Sequence, residues 1–195
     1  LARPGQAAST AGATQVNVLP PMMSCADLRA LRALVEGFDL DPVLLPDYAE
    51  TLEGASWRTY HRIAPGGTPI AKIAAMPRAK ATLELGGETA TAKDSAGRVL
   101  ERWGVPRHPL GWPLGLRSTD ALLQALETVS GRPAPRALEA ERGRVVDAYV
   151  DGHKYVAERR VAVFGEPDLA LALAAFVSEI GMTPVLVATG AKVEG

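Results

Sequence analysis

Segments with the pattern of buried strands alternate along this chain with segments of helical periodicity. The pattern is sharpest where a helix-like stretch at residues 136–158 runs directly into the apolar run at 160–164, which ends at Gly165. A short apolar run between turn residues predicts a buried strand, and a strand that enters a helix through a glycine turn begins a βαβ unit. Strands alternating with helices predict parallel sheets, so we expect an α/β protein with Rossmann-like parallel sheets flanked by helices.

The N-terminal part of the chain has the same design. Gln15–Leu19 and residues 42–45 are predicted strands, and Ser24 followed by Asp27 predicts a capped helix between them. A crossover between parallel strands is almost always right-handed. Residues 15–45 should therefore form a right-handed strand–helix–strand unit.

The later elements are predicted from the same signals. They are a short helix begun by Thr68-Pro69, a strand at Ala81–Leu85, a helix at 88–103, a proline-rich crossing segment at 105–116, a helix capped by Ser118 or Thr119 and ended by Gly131, a helix at 167–180 and a strand at 184–188. We expect the strands at 160–164 and 184–188 to be adjacent and parallel, joined by the helix between them.

This order of elements divides the chain into four regions. Residues 1–14 are small, polar and aperiodic, which is typical of a flexible linker. Residues 15–116 are predicted to form a Rossmann-like α/β domain, 117–158 a helical connector, and 159–195 the start of a second Rossmann-like α/β domain.

Charge and composition exclude several classes of protein. The net charge of −1 gives no bulk attraction to nucleic acid or anionic lipid. The longest apolar run, residues 169–177, is far shorter than the about 20 residues needed to cross a bilayer. We therefore expect a cytoplasmic protein with no nucleic-acid and no membrane partner. The single cysteine, Cys25, excludes an internal disulfide and cannot alone hold an iron–sulfur cluster, which needs about four thiolates.

For each of four candidate sites, a structural role explains the residues better than a binding or catalytic role does. The turn at 165–168 opens a helix, where anions bind, but its Glu166 and Asp168 place negative charge where a phosphate would lie. The Gly66-Gly67-Thr68 turn is predicted to lead into a helix that Thr68 caps. His153 is predicted to be a hydrogen-bonded structural residue of a helix. Cys25 has no base near it in the sequence that could activate its thiol. We assign no catalytic, cofactor-binding or metal-binding residue, and no active site is readable.

Two features instead predict an interface with another protein. The long connection at 46–68 carries Tyr48, Trp57 and Tyr60, aromatic residues of the kind enriched in interface cores. Gly143 and Gly152 lie inside the predicted long helix, where glycine is unfavourable, so we expect another backbone to approach there closely. One broad stripe of that helix is predicted to carry Leu138, Val145, Val146, Tyr149, Val150 and His153.

Several motifs in order carry a resemblance to a known family. They are residues 16–20 (Val-Asn-Val-Leu-Pro), 45–52 (Leu-Pro-Asp-Tyr-Ala-Glu-Thr-Leu), 66–68, 141–155 and 159–168. Over residues 15–192 the chain resembles the β-type subunits of the nitrogenase component 1 family. The variant Tyr-Val-Asp-Gly-His-Lys-Tyr at 149–155, with Gly165-Glu166 after the strand, is most similar to the β-like subunit of the iron–molybdenum cofactor assembly scaffold.

The resemblance implies a subunit of a heterotetramer that also contains an α-like scaffold subunit and meets the nitrogenase iron protein. Such a complex carries an iron–sulfur cluster and an iron–molybdenum cofactor precursor during nitrogen-fixation enzyme assembly. In the family the cluster's cysteines precede the segment that matches Val16, so we expect a middle fragment of a longer subunit, with no cofactor on this chain alone. The alternatives are the β-subunit of the nitrogenase molybdenum–iron protein, an electron-relay enzyme, and a subunit of a nitrogenase-like reductase.

Overall fold

The computed structural model describes residues 14–87 and 92–191, in which helices flank two parallel sheets. The strands are β1 (Gln15–Leu19), β2 (Asp41–Leu44), β3 (Ala81–Leu85), β4 (Arg107–Leu110), β5 (Arg160–Gly165) and β6 (Thr183–Thr189). The helices are α1 (Cys25–Glu36), α2 (Ala49–Glu53), α3 (Ile70–Ala75), α4 (Ala96–Arg102), α5 (Leu116–Ser130), α6 (Arg136–Val156) and α7 (Pro167–Glu179), with a 3₁₀ turn at Met76–Arg78. The predicted α/β class is confirmed. Of the predicted linker, residues 1–13 lie outside the described residues.

The first sheet has the strand order β2-β1-β3-β4, with every neighbouring pair parallel. Alternate residues of the two central strands point to opposite faces. One face packs on α1 and α5 in the main core, and the other packs on α4 and the 3₁₀ turn in a smaller apolar cluster. The sheet is therefore covered on both faces, as a parallel sheet requires.

Helix α1 begins as the sequence predicted. The Ser24 hydroxyl oxygen accepts a hydrogen bond from the Asp27 backbone N–H at 3.0 Å and donates to the Asp27 carboxylate at 2.7 Å. This cap satisfies a backbone donor that the first turn of a helix leaves unpaired. The apolar stripe Leu28, Leu31 and Val35 is then buried against the sheet.

The segment at 105–116 was predicted as a crossing segment, which is wrong, because it contains β4. Proline in a strand usually argues against strand structure, since it removes a backbone donor. Both strands of this sheet that contain proline, Pro42 in β2 and Pro109 in β4, are edge strands. An edge strand has one side without a partner strand, so the missing donor costs little there.

Three helix predictions also need correction. The predicted helix at 88–103 is not continuous, because residues 92–95 are not helical and α4 starts after Ser95, whose hydroxyl accepts from the Arg98 N–H at 3.2 Å; residues 88–91 lie outside the described residues. Helix α5 begins at Leu116, before the predicted caps. The connection at 46–68 contains α2, which was not predicted.

The second sheet pairs β5 with β6 in parallel through α7, which confirms the predicted unit. Several of its large apolar side chains are exposed, among them Phe164 and Leu186. Within the described residues, no helix is long and apolar enough to cross a membrane. The division of the chain at 15–116, 117–158 and 159–195 stays a prediction.

A buried ion pair joins β3 to edge strand β4. The Arg107 Nε lies 2.6 Å from the Glu84 Oε2, and both side chains are almost fully buried. Glu84 also accepts from the Gly97 backbone N–H at 3.0 Å. A Cβ on Gly97 would overlap the Glu84 carboxylate, so glycine at this position lets α4 approach the sheet.

We expect Arg107→Leu to lower the free energy of unfolding by about 3–5 kcal/mol, because it leaves the Glu84 carboxylate buried without its cation. Arg102→Leu, at an exposed position of α4, is the matched control and should change stability by less than about 0.5 kcal/mol. Urea unfolding measures both. Equal midpoints for the two variants would show that the buried pair does not hold β4 in the sheet.

Candidate functional site

The first sheet has a topological switch point between β1 and β3, where ligands bind in many open α/β sheets. In this chain the start of α7 lies beside the carboxyl end of β3, on one side of that switch point. A Cβ placed on Gly87, just after β3, would lie 3.9 Å from the Asp168 Oδ1 and 4.0 Å from the Leu171 side chain. Asp168 is only 3% exposed. The second β-α-β unit thus packs against the edge that a ligand would otherwise use.

The turn at the start of α7 satisfies its own helix terminus. The Glu166 carboxylate accepts from the backbone N–H groups of Asp168 and Leu169 at 3.2 and 3.0 Å. These are the donors that would bind a phosphate at a helix N-terminus. The interpretation that this turn caps its helix with its own carboxylate is confirmed.

A cavity of about 670 Å³ lies beside this edge, between α1, α5, α6 and the loop that follows β4. Its lining is mostly apolar, and includes Leu31, Leu34, Trp112, Leu123, Val145 and Phe176. Such a lining contacts apolar groups and offers few directional hydrogen bonds. Its chemistry suits an apolar group better than a polar substrate.

Polar side chains lie at the margin of the cavity and interact with one another. The Arg142 guanidinium contacts both oxygens of Asp120, at 2.9 and 2.8 Å, and its hydrogen bonds hold the pKa of that carboxyl below its usual value. Burial, and then the neighbouring Glu179 carboxylate, raises the pKa of the Tyr149 phenol. Tyr149 is therefore a neutral group at physiological pH.

The long helix α6 meets the end of α7 at a joint formed by aromatic and polar contacts. The rings of Tyr149 and Phe176 pack edge to face with centroids 6.2 Å apart. The His153 Nδ1 lies 3.3 Å from the Ile180 carbonyl oxygen. A Cβ on Gly181 would lie 2.7 Å from that same nitrogen, so glycine makes room for the imidazole. The structural interpretation of His153 is supported by these contacts.

The rest of α6 is loosely packed. None of its side chains is fully buried, and Val150 is 71% exposed, so the described residues do not cover the predicted stripe. A Cβ on Gly143 or Gly152 would meet no described atom within 4 Å. A close approach at these glycines therefore remains a prediction about atoms of another segment or chain.

Thr68 does not cap α3, as was predicted. Its hydroxyl donates to the Leu44 carbonyl at 2.5 Å and accepts from the Asp47 N–H at 3.2 Å, and Pro69 precedes the helix. Gly66 and Gly67 have φ angles of 102° and 82°, which favour glycine. The turn therefore closes the 46–68 connection onto β2.

The described residues do not fit an iron–sulfur cluster or another metal site. Cys25 is buried in the main core, and burial is the first cause that raises the pKa of its thiol. The chain has no second cysteine. Among residues 14–87 and 92–191, no three His, Cys, Asp or Glu side chains come together as ligands.

We expect Gly181→Ala to cost more stability than Gly131→Ala. Both glycines have positive φ, 93° and 76°, which costs an L-residue about 1–2 kcal/mol, but only Gly181 also faces His153. Adding His153→Ala to Gly181→Ala should recover part of the difference in a double-mutant cycle measured by thermal unfolding. Equal losses at the two glycines would contradict the described joint.

Known proteins match this chain over most of its length. The nitrogenase molybdenum–iron protein beta chain of Clostridium pasteurianum is 33% identical over 177 residues, which are 90% of this chain and 38% of that protein. The nitrogenase iron–molybdenum cofactor biosynthesis protein NifN of Bradyrhizobium diazoefficiens is 32% identical over 182 residues, 93% of this chain and 38% of that protein. The chain thus spans well under half the length of these relatives.

The fold comparison agrees with the sequence comparison. A solved structure, nitrogenase Cp1 at pH 6.5, superposes with a TM-score of 0.84 and 32% identity, over 92% of this chain and 39% of that one. The family model described as nitrogenase component 1 type oxidoreductase matches residues 3–195. The chain belongs to the nitrogenase component 1 family.

Proposed function

We propose that this chain is part of the β-like subunit of the scaffold on which the iron–molybdenum cofactor is assembled. The observation that carries the proposal is the Tyr-Val-Asp-Gly-His-Lys-Tyr variant at residues 149–155 of α6, which resembles the scaffold's β-like subunit. A Cβ at Gly152 would meet no described atom within 4 Å, so the chain's own packing does not demand glycine there. The similarity to NifN supports the same proposal.

In this proposal the chain contributes packing surfaces and no metal ligand. Helix α6 extends for 21 residues without a buried side chain. Its exposed Val150 and Tyr155 would contact the α-like subunit of a heterotetramer in the cytoplasm. The α-like subunit would hold most of the cofactor precursor, and the iron protein would meet the assembled complex.

The β-subunit of the nitrogenase molybdenum–iron protein is the second candidate. Beta chains of the molybdenum–iron protein are 28% to 37% identical to this chain and NifN is 32% identical, so the degree of identity does not separate the two candidates. A nitrogenase-like reductase subunit is a third interpretation, and it shares the fold and the family.

Deletion of the gene separates the two main candidates. If the protein is a scaffold subunit, the deletion strain should make a nitrogenase component 1 that lacks its cofactor and regains activity in extract when isolated iron–molybdenum cofactor is added. If the protein is the enzyme subunit, added cofactor should restore nothing. The second result would overturn the scaffold proposal.

We expect the 195-residue chain, purified anaerobically, to carry no stoichiometric iron or acid-labile sulfide. The one thiol is Cys25, it is buried in the core, and a cluster needs about four thiolates. Iron and sulfide assays with the visible spectrum test this. Near-stoichiometric iron in a chain that remains monomeric on sedimentation would contradict the expectation.

A further inference from the structure

One stretch of this nearly neutral chain has charges of a single sign. Between residues 54 and 83 the sequence contains five lysines and arginines and no aspartate or glutamate, although acidic residues outnumber basic ones by 22 to 21 in the whole chain. In the described residues, Lys72 is paired with Asp41 at 2.6 Å. Arg58 and Arg62 take part in none of the ion pairs found in the described residues and are exposed.

These two arginines lie in a projecting segment, residues 54–65, which we name the arm. Every residue from 50 to 63 is exposed. Large apolar side chains are exposed on the arm as well: Trp57 is 45% exposed, Tyr60 83% and Ile63 85%. The arm therefore presents aromatic, aliphatic and guanidinium groups together.

Both ends of the arm are fixed to the body of the protein. On one side Arg29 of α1 contacts Glu50 at 2.7 Å and the Glu53 carbonyl oxygen at 3.0 Å, which holds α2 in place. On the other side Thr68 is bonded to β2, and Gly66 packs directly on Thr51. A fixed base reduces the entropy lost when such a segment binds.

We propose that the arm docks onto an acidic, partly apolar surface of a partner protein. Arginine, tryptophan and tyrosine are the residues that most often dominate binding energy at protein interfaces. Arg58 and Arg62 take part in no ion pair found in the described residues, so their guanidinium groups would pair with carboxylates of the partner. The exposed Tyr60 and Ile63 would fill an apolar recess near those carboxylates. The identification of the partner as the α-like subunit rests on the proposed function.

Single-stranded nucleic acid is the competing class of partner, because arginine and aromatic side chains also stack on bases. The aliphatic side chains of the arm and its surroundings favour protein. Ile63 and Ile70 are 85% and 84% exposed, and such side chains fill apolar recesses but make poor stacking platforms.

The test compares the wild-type chain with Arg58→Glu/Arg62→Glu and with the control Lys93→Glu/Arg102→Glu, which makes the same change of charge at exposed positions outside the arm. The probes are the α-like subunit, a glutamate–tyrosine copolymer and an oligothymidylate. We expect the arm variant to bind the subunit and the copolymer at least about tenfold more weakly, and the control to bind them within about twofold of the wild type. Binding of the wild type should weaken as salt is raised.

Two results would overturn the proposal in different ways. If the arm variant binds the α-like subunit as tightly as the wild type, the arm is not the docking surface, while the heterotetramer stands. If the wild type does not bind the α-like subunit, the proposed function is contradicted, and binding of the copolymer then tests the arm proposal by itself. The arm proposal is overturned as well if the wild type does not bind the copolymer, or if it binds the oligothymidylate more tightly than the copolymer.

Discussion

The carboxylate of Glu179 joins the two halves of this structure. It accepts hydrogen bonds from the backbone N–H groups of Leu116 and Arg117, at 2.6 and 3.2 Å, and so caps α5 from the far end of α7. A Cβ on Gly115 would lie 3.1 Å from this carboxylate and equally close to Phe176. A helix terminus needs its free donors satisfied, and here a distant segment satisfies them. This contact ties the end of α7 to the start of α5.

The position of α7 determines which surfaces of the chain stay free to bind other molecules. The start of α7 packs at the edge of the first sheet where α/β proteins commonly bind ligands, and Asp168 is buried there. The cavity next to it is lined by apolar side chains, and the charged residues at its margin are paired. Large apolar side chains are exposed on the arm, on α6 and on β5 and β6, and the arm is also basic. Exposed apolar surface of this kind is typical of sites that contact other protein, which agrees with the proposed role in an assembly.

Local signals in the sequence were enough for much of the fold. β1, β3, α1 and the β5-α7-β6 unit were predicted because each combines a short apolar run with a local cap or turn. The misses depend on distant residues. The start of α5 is fixed by Glu179, and β4 is a strand because its Arg107 pairs with Glu84 and its proline lies at an edge. The Thr68 hydroxyl was predicted as a cap, but it bonds to Leu44 across the loop.

The exposure of the predicted α6 stripe also depends on residues far away in the sequence. Periodicity shows that its apolar positions share a face, but it does not show what covers that face. The same holds for the candidate sites: their residue types argued against each of them, but local patterns could not place α7 beside the end of β3.

Hydrogen–deuterium exchange of this chain, alone and with the α-like scaffold subunit, tests the central claim that its outward surfaces are sites of assembly. The account predicts slower exchange in the arm and along α6 on mixing, with β1 and β3 unchanged because they are already buried. Unchanged exchange in both the arm and α6, with protection confined to other surfaces, would contradict it.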